Sequence, residues 1–580
     1  METRRATVAL WLAAAMAPIG AAPAGAAQDQ ASNPPVKGVF RGVITAVKFD
    51  ISAPLRSLPV EPPLIKEEEE DQRDRPSGLE GPFGVQTPDG AAQSRVGAGE
   101  IPSPNQSFDT INGLGPNPPD SVGDVGPNHY VVMSNLRYAV YSKTGTLLLG
   151  PLNNNTLWAG FGTTCQTQNA GDPIVLHDQM SDRWILTQFT SGAEAGTGNF
   201  YNCVAVSTTP DPTGSYFRWA FPTGNNFPDY PKFGVWTDAM YISTREFVGG
   251  SGGPFGGVGA YAVNRAQLVA GNPTAQMISF LVPPTTPSLT GDGLLPADLD
   301  GTTPPPPGSP MYYAGAMDDG GPYGATQDAL TLWKYVADFV TPANSSFTLA
   351  NTLPIAPYDT IYPCPGGGRR CIPQPPPTAQ TQFLDILSYR QRPMHRLAYR
   401  NFGTHESLVT NQSVEAGTGP GGTVAGVRWW EIRSPNSSPV IFQQGTYAPG
   451  ITDGIHRWMG SIAMDRAGNM ALGFSVSDPV SVFPGSRYTG RLVTDATGSM
   501  PQGEAAFVNG VGLQTTTNNR WGDYSSMNID PVDDCTFWFI TEYYPVTSAT
   551  GWVLRVGSFR FPAPQCIPVP VELQSFEIKD

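Results

Sequence analysis

Apolar and polar residues alternate along most of this chain in short runs of four to eight, and polar turns break the runs before any helical period can build. That is the pattern of half-buried strands joined by tight turns. One arrangement recurs. Ser461-Ile-Ala-Met-Asp465-Arg-Ala-Gly-Asn469-Met-Ala-Leu-Gly-Phe474 is an alternating strand, a turn opened by Asp and closed by Gly-Asn, then a second strand. Ile174 to Leu186, with Asp178 and Asp182, and Ser526 to Phe539, with Asp530 and Asp534, repeat it, and so does Ser121 to Met133 around Asp124. Aspartate at such a turn accepts backbone N–H bonds two residues on, and Gly, Asn or Asp tolerates the left-handed residue that closes it. Looser copies lie at Gly234 to Ile242, Met311 to Val336 and Leu397 to Val409.

The anchors near 124, 178, 238, 315, 400, 465 and 530 are roughly 50–85 residues apart, against about 40–50 for an uninterrupted four-stranded blade. A β-sandwich does not predict one hairpin returning over the whole body, whereas a propeller does. The sequence therefore predicts an all-β fold, a β-propeller of seven four-stranded blades, spanning 108–566.

Composition changes this picture mainly at the ends. Gly 65 and Pro 59 out of 580 residues punctuate the strands, and 40% hydrophobic residues supply a core. The opening METRRATVALWLAAAMAPIGAAPAGA has a positive start, an Ala-rich apolar stretch and small residues at a cleavage position, so residues 1–26 read as a signal peptide. Residues 27–107 are rich in Pro, Glu, Gln and Gly, carry the acidic run Glu67 to Asp71, and hold one strand-like stretch, Gly38 to Ile51. They are expected to form a disordered tether, and 567–580 a C-terminal tail. No stretch reaches the length of a transmembrane helix. The expected location is extracellular or at the cell surface, with the periplasm as the other oxidising compartment, and the expected state is a monomer.

Six cysteines suit such a compartment, and Cys165 with Cys203, Cys364 with Cys371, and Cys535 with Cys566 are the natural pairs, preferred rather than deduced. A net charge of −15 argues against nucleic acid as partner.

The strings PPDSVGDVGPNHYVVMSN, GDPIVLHDQMSDRWILTQF, FPDYPKFGVWTDAMYIS, RLAYRNFGTHESLVTN, HRWMGSIAMDRAGNMALGFSVS and RWGDYSSMNIDPVDDCTFWFITEYY resemble a family of large secreted bacterial β-propeller proteins. The resemblance covers about 108–562 and implies an extracellular propeller without implying a reaction. Sialidase-like propellers are a fainter likeness: their Ser-x-Asp-x-Gly-x-Thr-Trp box is absent, and Asp465 to Asn469 only echoes its turn.

In a propeller, residues just before the innermost strand of each blade line the channel mouth. Reading back from the turns gives Asp120, Asp172, Asp229, Asp385 and Asp523, with Arg457 and Arg520 as further candidates. Converging carboxylates repel, so such a ring binds a hard cation, holds protons, or pairs with arginine. The competing expectation is that each Asp caps its own turn. Asp298-Leu-Asp300-Gly301 is a short acidic turn suited to Ca²⁺, though it lacks the remaining ligands of a calcium loop; no other cofactor is called for. The functional expectation is a binding or adhesion module for an extracellular glycan, another polar molecule or a protein. The alternative is a glycosidase or lyase using paired carboxylates.

Overall fold

The computed structural model describes residues 36–59, 88–113, 116–562 and Cys566. The signal-peptide segment, the acidic run Glu67 to Asp71 and the tail lie outside them. Everything described is β-rich, and no helix among the described residues is long and apolar enough to cross a membrane.

The strands group into antiparallel meanders of four. Their first strands are β1 (Val122–Val125), β2 (Val175–Asp178), β3 (Asn226–Val235), β4 (Leu295–Asp300), β5 (Met394–Asn401), β6 (His456–Met464) and β7 (Ser526–Ile529). These first strands neighbour one another in chain order, and β7 also packs against β1. The fourth and fifth meanders are fused into one sheet by parallel pairing of β4 with β5, Ala297 to Asp300 opposite Leu397 to Arg400. The seventh meander has only three strands of its own. Its fourth is Gln106–Asn112, antiparallel to Val553–Phe559.

Most strands of the inner rows are buried on both faces, because each sheet packs against the next. Trp184, Trp219, Trp333, Trp430, Trp458 and Trp521 are fully enclosed between them. Pairs such as Tyr241 against Tyr335, ring centroids 5.1 Å apart and near-perpendicular, fill the space edge to face.

The Asp-opened hairpin joins the first strand to the second in the copies where it is clearest. Asp465 Oδ1 accepts from the amides of Ala467 and Asn469, both at 2.9 Å, and Asp530 Oδ1 accepts from Val532 at 3.0 Å. Two copies differ. Asp124 lies inside β1 and reaches across to accept the amide of His177 in β2 at 2.7 Å. The stretch Met311 to Val336 holds the second and third strands of its meander, one strand later than the repeat implies. There the first connection is Gly301 to Pro310, whose four consecutive prolines cannot form the Asp turn.

The segment expected to be a disordered tether is partly built into the sheets. Val39–Thr45 adds an antiparallel edge strand beside Gln276–Val282, Lys48–Ile51 does so beside Tyr216–Gly224, and Ala92–Gln93 runs parallel to Val440–Tyr447. The outer strand of a meander presents unpaired N–H and C=O groups, and a passing segment of alternating pattern satisfies them. Ion pairs fix it: Arg41 to Glu246 at 2.7 Å, Asp50 to Arg218 at 2.7 Å, and Asp89 to Arg428 at 2.8 Å. The first two of these strands lie in the strand-like stretch Gly38 to Ile51, while the two-residue strand Ala92–Gln93 is too short to show against the composition of 27–107.

All three disulfides form as paired in the sequence: Cys165–Cys203, Cys364–Cys371 and Cys535–Cys566.

Candidate functional site at the starts of the first strands

Left-handed backbone gathers near the beginnings of the first strands. Asp120 (φ 50°), Asp172 (43°), Tyr230 (50°), Gln391 (46°), Met459 (54°) and Asp523 (61°) all adopt it, and Gly291 does so ahead of β4. In β3 and β6 these residues sit at bulges, between Asp229 and Lys232 and between Trp458 and Ser461. A non-glycine residue in this region costs on the order of 1 kcal/mol and persists only where its surroundings over-determine it. Such residues gather at functional sites.

The side chains that converge there come from six of the meanders. Asp120 precedes β1, Asp172 precedes β2, Asp229 and Lys232 lie in β3, Asp292 precedes β4, Arg392 precedes β5, and Arg520 and Asp523 precede β7. Asp172 Oδ2 accepts the Tyr230 amide at 3.1 Å, and the Tyr230 hydroxyl donates to the Asp523 carbonyl at 2.9 Å. Arg520 pairs with Asp523. Lys232 Nζ lies over the rings of Tyr230 (3.5 Å) and Tyr524 (3.7 Å), and the Arg392 guanidinium lies 3.3 Å over the Tyr230 ring. Asp229 holds Arg245 at 2.6 Å, and Asp292 is shared by Arg245 at 3.0 Å, Arg390 at 3.2 Å and Arg392 at 3.4 Å. Asp120, Lys232 and Asp523 are buried, while Asp172, Asp229 and Arg520 are half-buried and form the open side.

Of the residues read from the sequence, Asp120, Asp172, Asp229, Arg520 and Asp523 thus share one electrostatic cluster. Asp385 does cap its own turn, accepting from the Leu387 amide at 2.9 Å and the Tyr389 hydroxyl at 3.2 Å, with Arg369 at 3.7 Å. Arg457 points elsewhere: it pairs with Asp453 (2.9 Å) and Glu504 (2.7 Å), and Arg487 shares that glutamate.

The acidic turn offered to Ca²⁺ is already neutralised. Arg396 bridges Asp298 (2.9 Å) and Asp300 (2.7 Å), and the other Asp298 oxygen accepts the Val235 amide at 2.9 Å. A guanidinium occupies the place a cation would take. A second acidic group, Asp318, Asp319 and Asp328, directs the oxygens of Asp318 and Asp328 to the amides of Gly320, Thr360, Asp319 and Tyr358.

Lys232, Arg245, Asp292 and Arg392 were missed in the sequence. Arg392 stands two residues before β5, where reading back from the Arg400 turn would have found it. Lys232 reads as an ordinary outward position of an alternating strand until the bulge at Asp229 reverses it.

Burial drives the protonation of the cluster. It pushes the Asp120 carboxyl well above the usual range, with Asp172 and Asp523 adding to the shift. Asp172 is raised by burial and then by Asp229. Lys232 is lowered by burial, against the pull of Asp172 and Asp120. One Asp120 oxygen, Oδ1, is buried with no hydrogen-bond partner.

Elsewhere burial lifts Asp124 to about 8 and Asp359 to about 7. These carboxyls keep their protons in the folded protein above pH 4, where the unfolded chain has lost them. Their contribution to stability is therefore complete at low pH and is lost as pH rises through the folded values. His395 and His456, both lowered by burial, act in the opposite sense below about pH 6.5; Lys232, lowered by burial to about 7, does so from there upward and offsets part of the carboxyls' effect above pH 7. The melting temperature is expected to fall between pH 6.5 and 8. A melting curve that rises over that interval would contradict this assignment of buried, protonated carboxyls.

No family's sequence profile matches the chain, and no curated protein matches it. Among solved structures it is similar to an α-L-arabinofuranosidase from Fusarium graminearum, at 9% identity over 81% of this chain and 98% of that one, with a TM-score of 0.32. It is also similar to the Trypanosoma rangeli sialidase (10% identity, 67% and 54% covered, TM-score 0.28) and to a glycosyl hydrolase from Bacteroides ovatus (8% identity, 65% and 96% covered, TM-score 0.24).

Proposed function

We propose that this chain is a secreted seven-bladed β-propeller that binds a polar, hydroxyl-rich ligand of glycan type where its first strands begin. The seven-fold succession of first strands, with β7 returning to β1, supports the propeller. Three disulfides fit an oxidising compartment. The observation that carries the ligand is the convergence of Asp120, Asp172, Asp229, Lys232, Arg392, Arg520 and Asp523, from five separate meanders, onto one partly open site. Acidic and basic groups interleaved with the Tyr230 and Tyr524 rings suit a molecule that offers both hydroxyl donors and acceptors and an apolar ring face.

The test is a glycan array on the mature protein, followed by calorimetry on the best ligand. Asp172→Ala, at the half-buried rim, is expected to weaken binding by about tenfold, the effect of losing one hydrogen-bond partner. Asp385→Ala is expected to leave affinity unchanged, because that carboxylate serves its own turn. Equal loss in both variants, or none in either, sinks the placement of the site.

A second reading has one observation in its favour. Burial raises the Asp120 and Asp172 carboxyls beside Asp523, which is paired with Arg520. A carboxyl raised by burial with a second carboxyl beside it is the pairing from which glycoside hydrolysis draws its acid. Hydrolysis of an aryl glycoside that is lost in Asp523→Asn while binding survives would favour the enzyme.

A further inference from the structure

We infer that a narrow cleft between the third, fourth and fifth meanders binds a single anionic group of carboxylate type, so that the ligand of the proposed site is an acidic saccharide. The inference rests on the reading above that the site takes a hydroxyl-rich ligand, and deepens it.

The cleft opens beside Lys232 and Arg245, with Arg392 and Pro393 closing it from the fifth meander and Tyr230 and Ser243 completing its wall. Three cations line it and no carboxylate does. Behind it, Asp229 pairs with Arg245, and Asp292 with Arg245, Arg390 and Arg392. Lys232 makes no ion pair among the described residues; its ammonium meets two aromatic faces and the Pro231 carbonyl at 3.0 Å. The Nε–H groups of Arg245 and Arg392 are buried without an acceptor.

Buried cations in excess of their counter-charges are costly, as are buried donors without acceptors. An anion in the cleft relieves both at once, and a planar carboxylate matches the guanidinium fork better than a spherical ion does. Protons held on Asp120 and Asp172 remove the two carboxylates that would otherwise repel it. A metal cation is opposed by the same lining. A polyanion is opposed by the chain's net charge of −15, which leaves a discrete anionic group on an otherwise neutral molecule.

A free small anion and the carboxylate of a sugar share this chemistry, and one experiment separates them. The mature protein is titrated with a panel of otherwise neutral oligosaccharides that each carry a single uronate residue, with the same panel after carboxyl reduction, and with acetate alone. The expected result is a preference of about tenfold or more for the acidic form over its reduced counterpart. That preference should weaken in high salt, disappear in Arg392→Gln and persist in part in Arg392→Lys. The wild-type comparison of acidic and reduced sugars needs no variant, so it stands even if Arg392→Gln fails to fold. Equal affinity for both forms overturns the inference while leaving the binding site intact, and so does saturation by acetate with no acid preference among the sugars. Failure of every saccharide, acidic, reduced or neutral, tells against the proposed function itself.

Discussion

Replacing Arg396 with methionine is expected to destabilise the protein by about 3–5 kcal/mol, the usual cost of removing one partner from a buried ion pair. The side chain is fully buried, bridges Asp298 and Asp300, and donates to the Met527 carbonyl at 3.3 Å. It therefore ties β4, β5 and β7 together at one point. Methionine matches its length and apolar stem but leaves two carboxylates facing each other without a counter-charge. The adjacent parallel pairing of β4 with β5, which fuses two meanders, is then strained from within. Urea unfolding measures the effect. Adding Asp298→Asn and Asp300→Asn to the methionine variant should recover part of it, because the uncompensated charge disappears with them. A loss below about 1 kcal/mol in the single variant would show that the bridge is solvated and contributes as little as a surface pair.

The second large effect belongs to the disulfides, and it is graded. In the chain-entropy account a crosslink stabilises in proportion to the logarithm of the loop it closes, about 4 kcal/mol for the 38-residue separation of Cys165–Cys203 and about 2 kcal/mol for the 7-residue separation of Cys364–Cys371. Cys165→Ala with Cys203→Ala is expected to lower the unfolding midpoint by roughly one and a half times as much as the matching pair of substitutions at Cys364 and Cys371. Cys165 and Cys203 are both completely buried in the core of the first three meanders, so cavity formation adds to their removal. The short loop instead anchors the segment between the fourth and fifth meanders that carries Arg369 and Arg392. Its loss should show in ligand affinity more than in the midpoint. The reverse order of midpoints would mean that the longer crosslink is offset by residual structure in the unfolded chain.

What could be read from the sequence followed from local chemistry. The turn at Asp465 to Asn469 announces itself because Asp, Gly and Asn each have a conformational reason to stand where they do, and the same holds at Asp178 and Asp530. Where the connection is a proline run, as after Asp300, nothing local marks the strand boundary, and the repeat slipped by one strand. The carboxylates at the strand starts were found by position alone, and that worked where the left-handed residue is itself the aspartate, as at Asp120, Asp172 and Asp523. It failed at β5, where the left-handed residue is Gln391 and the charged group beside it is Arg392. It failed at β6 as well, where Met459 takes that backbone position and Arg457 turns to Glu504. Arg520 was read from the sequence, but Lys232 escaped notice because a buried lysine in an alternating strand has no sequence signature. Its role appears only when three meanders bring Asp172, Tyr230 and Tyr524 around it.

The borrowed strand of the seventh meander makes that meander depend on a distant part of the chain. Gln106–Asn112 leaves the ribosome before every meander it helps to hold together, and its partner Val553–Phe559 emerges more than four hundred residues later. Six meanders have all four of their strands by then, but the seventh has an open edge, and the early segment carries Phe108 and Ile111 with nothing to pair with. Bringing two ends so far apart into register is slow, since the entropy of closing the loop is lost before any bond is gained. The seventh meander is therefore complete only when a segment from the first fifth of the chain has met one from its last tenth, a contact of high sequence separation that the other six meanders do not need for their four strands.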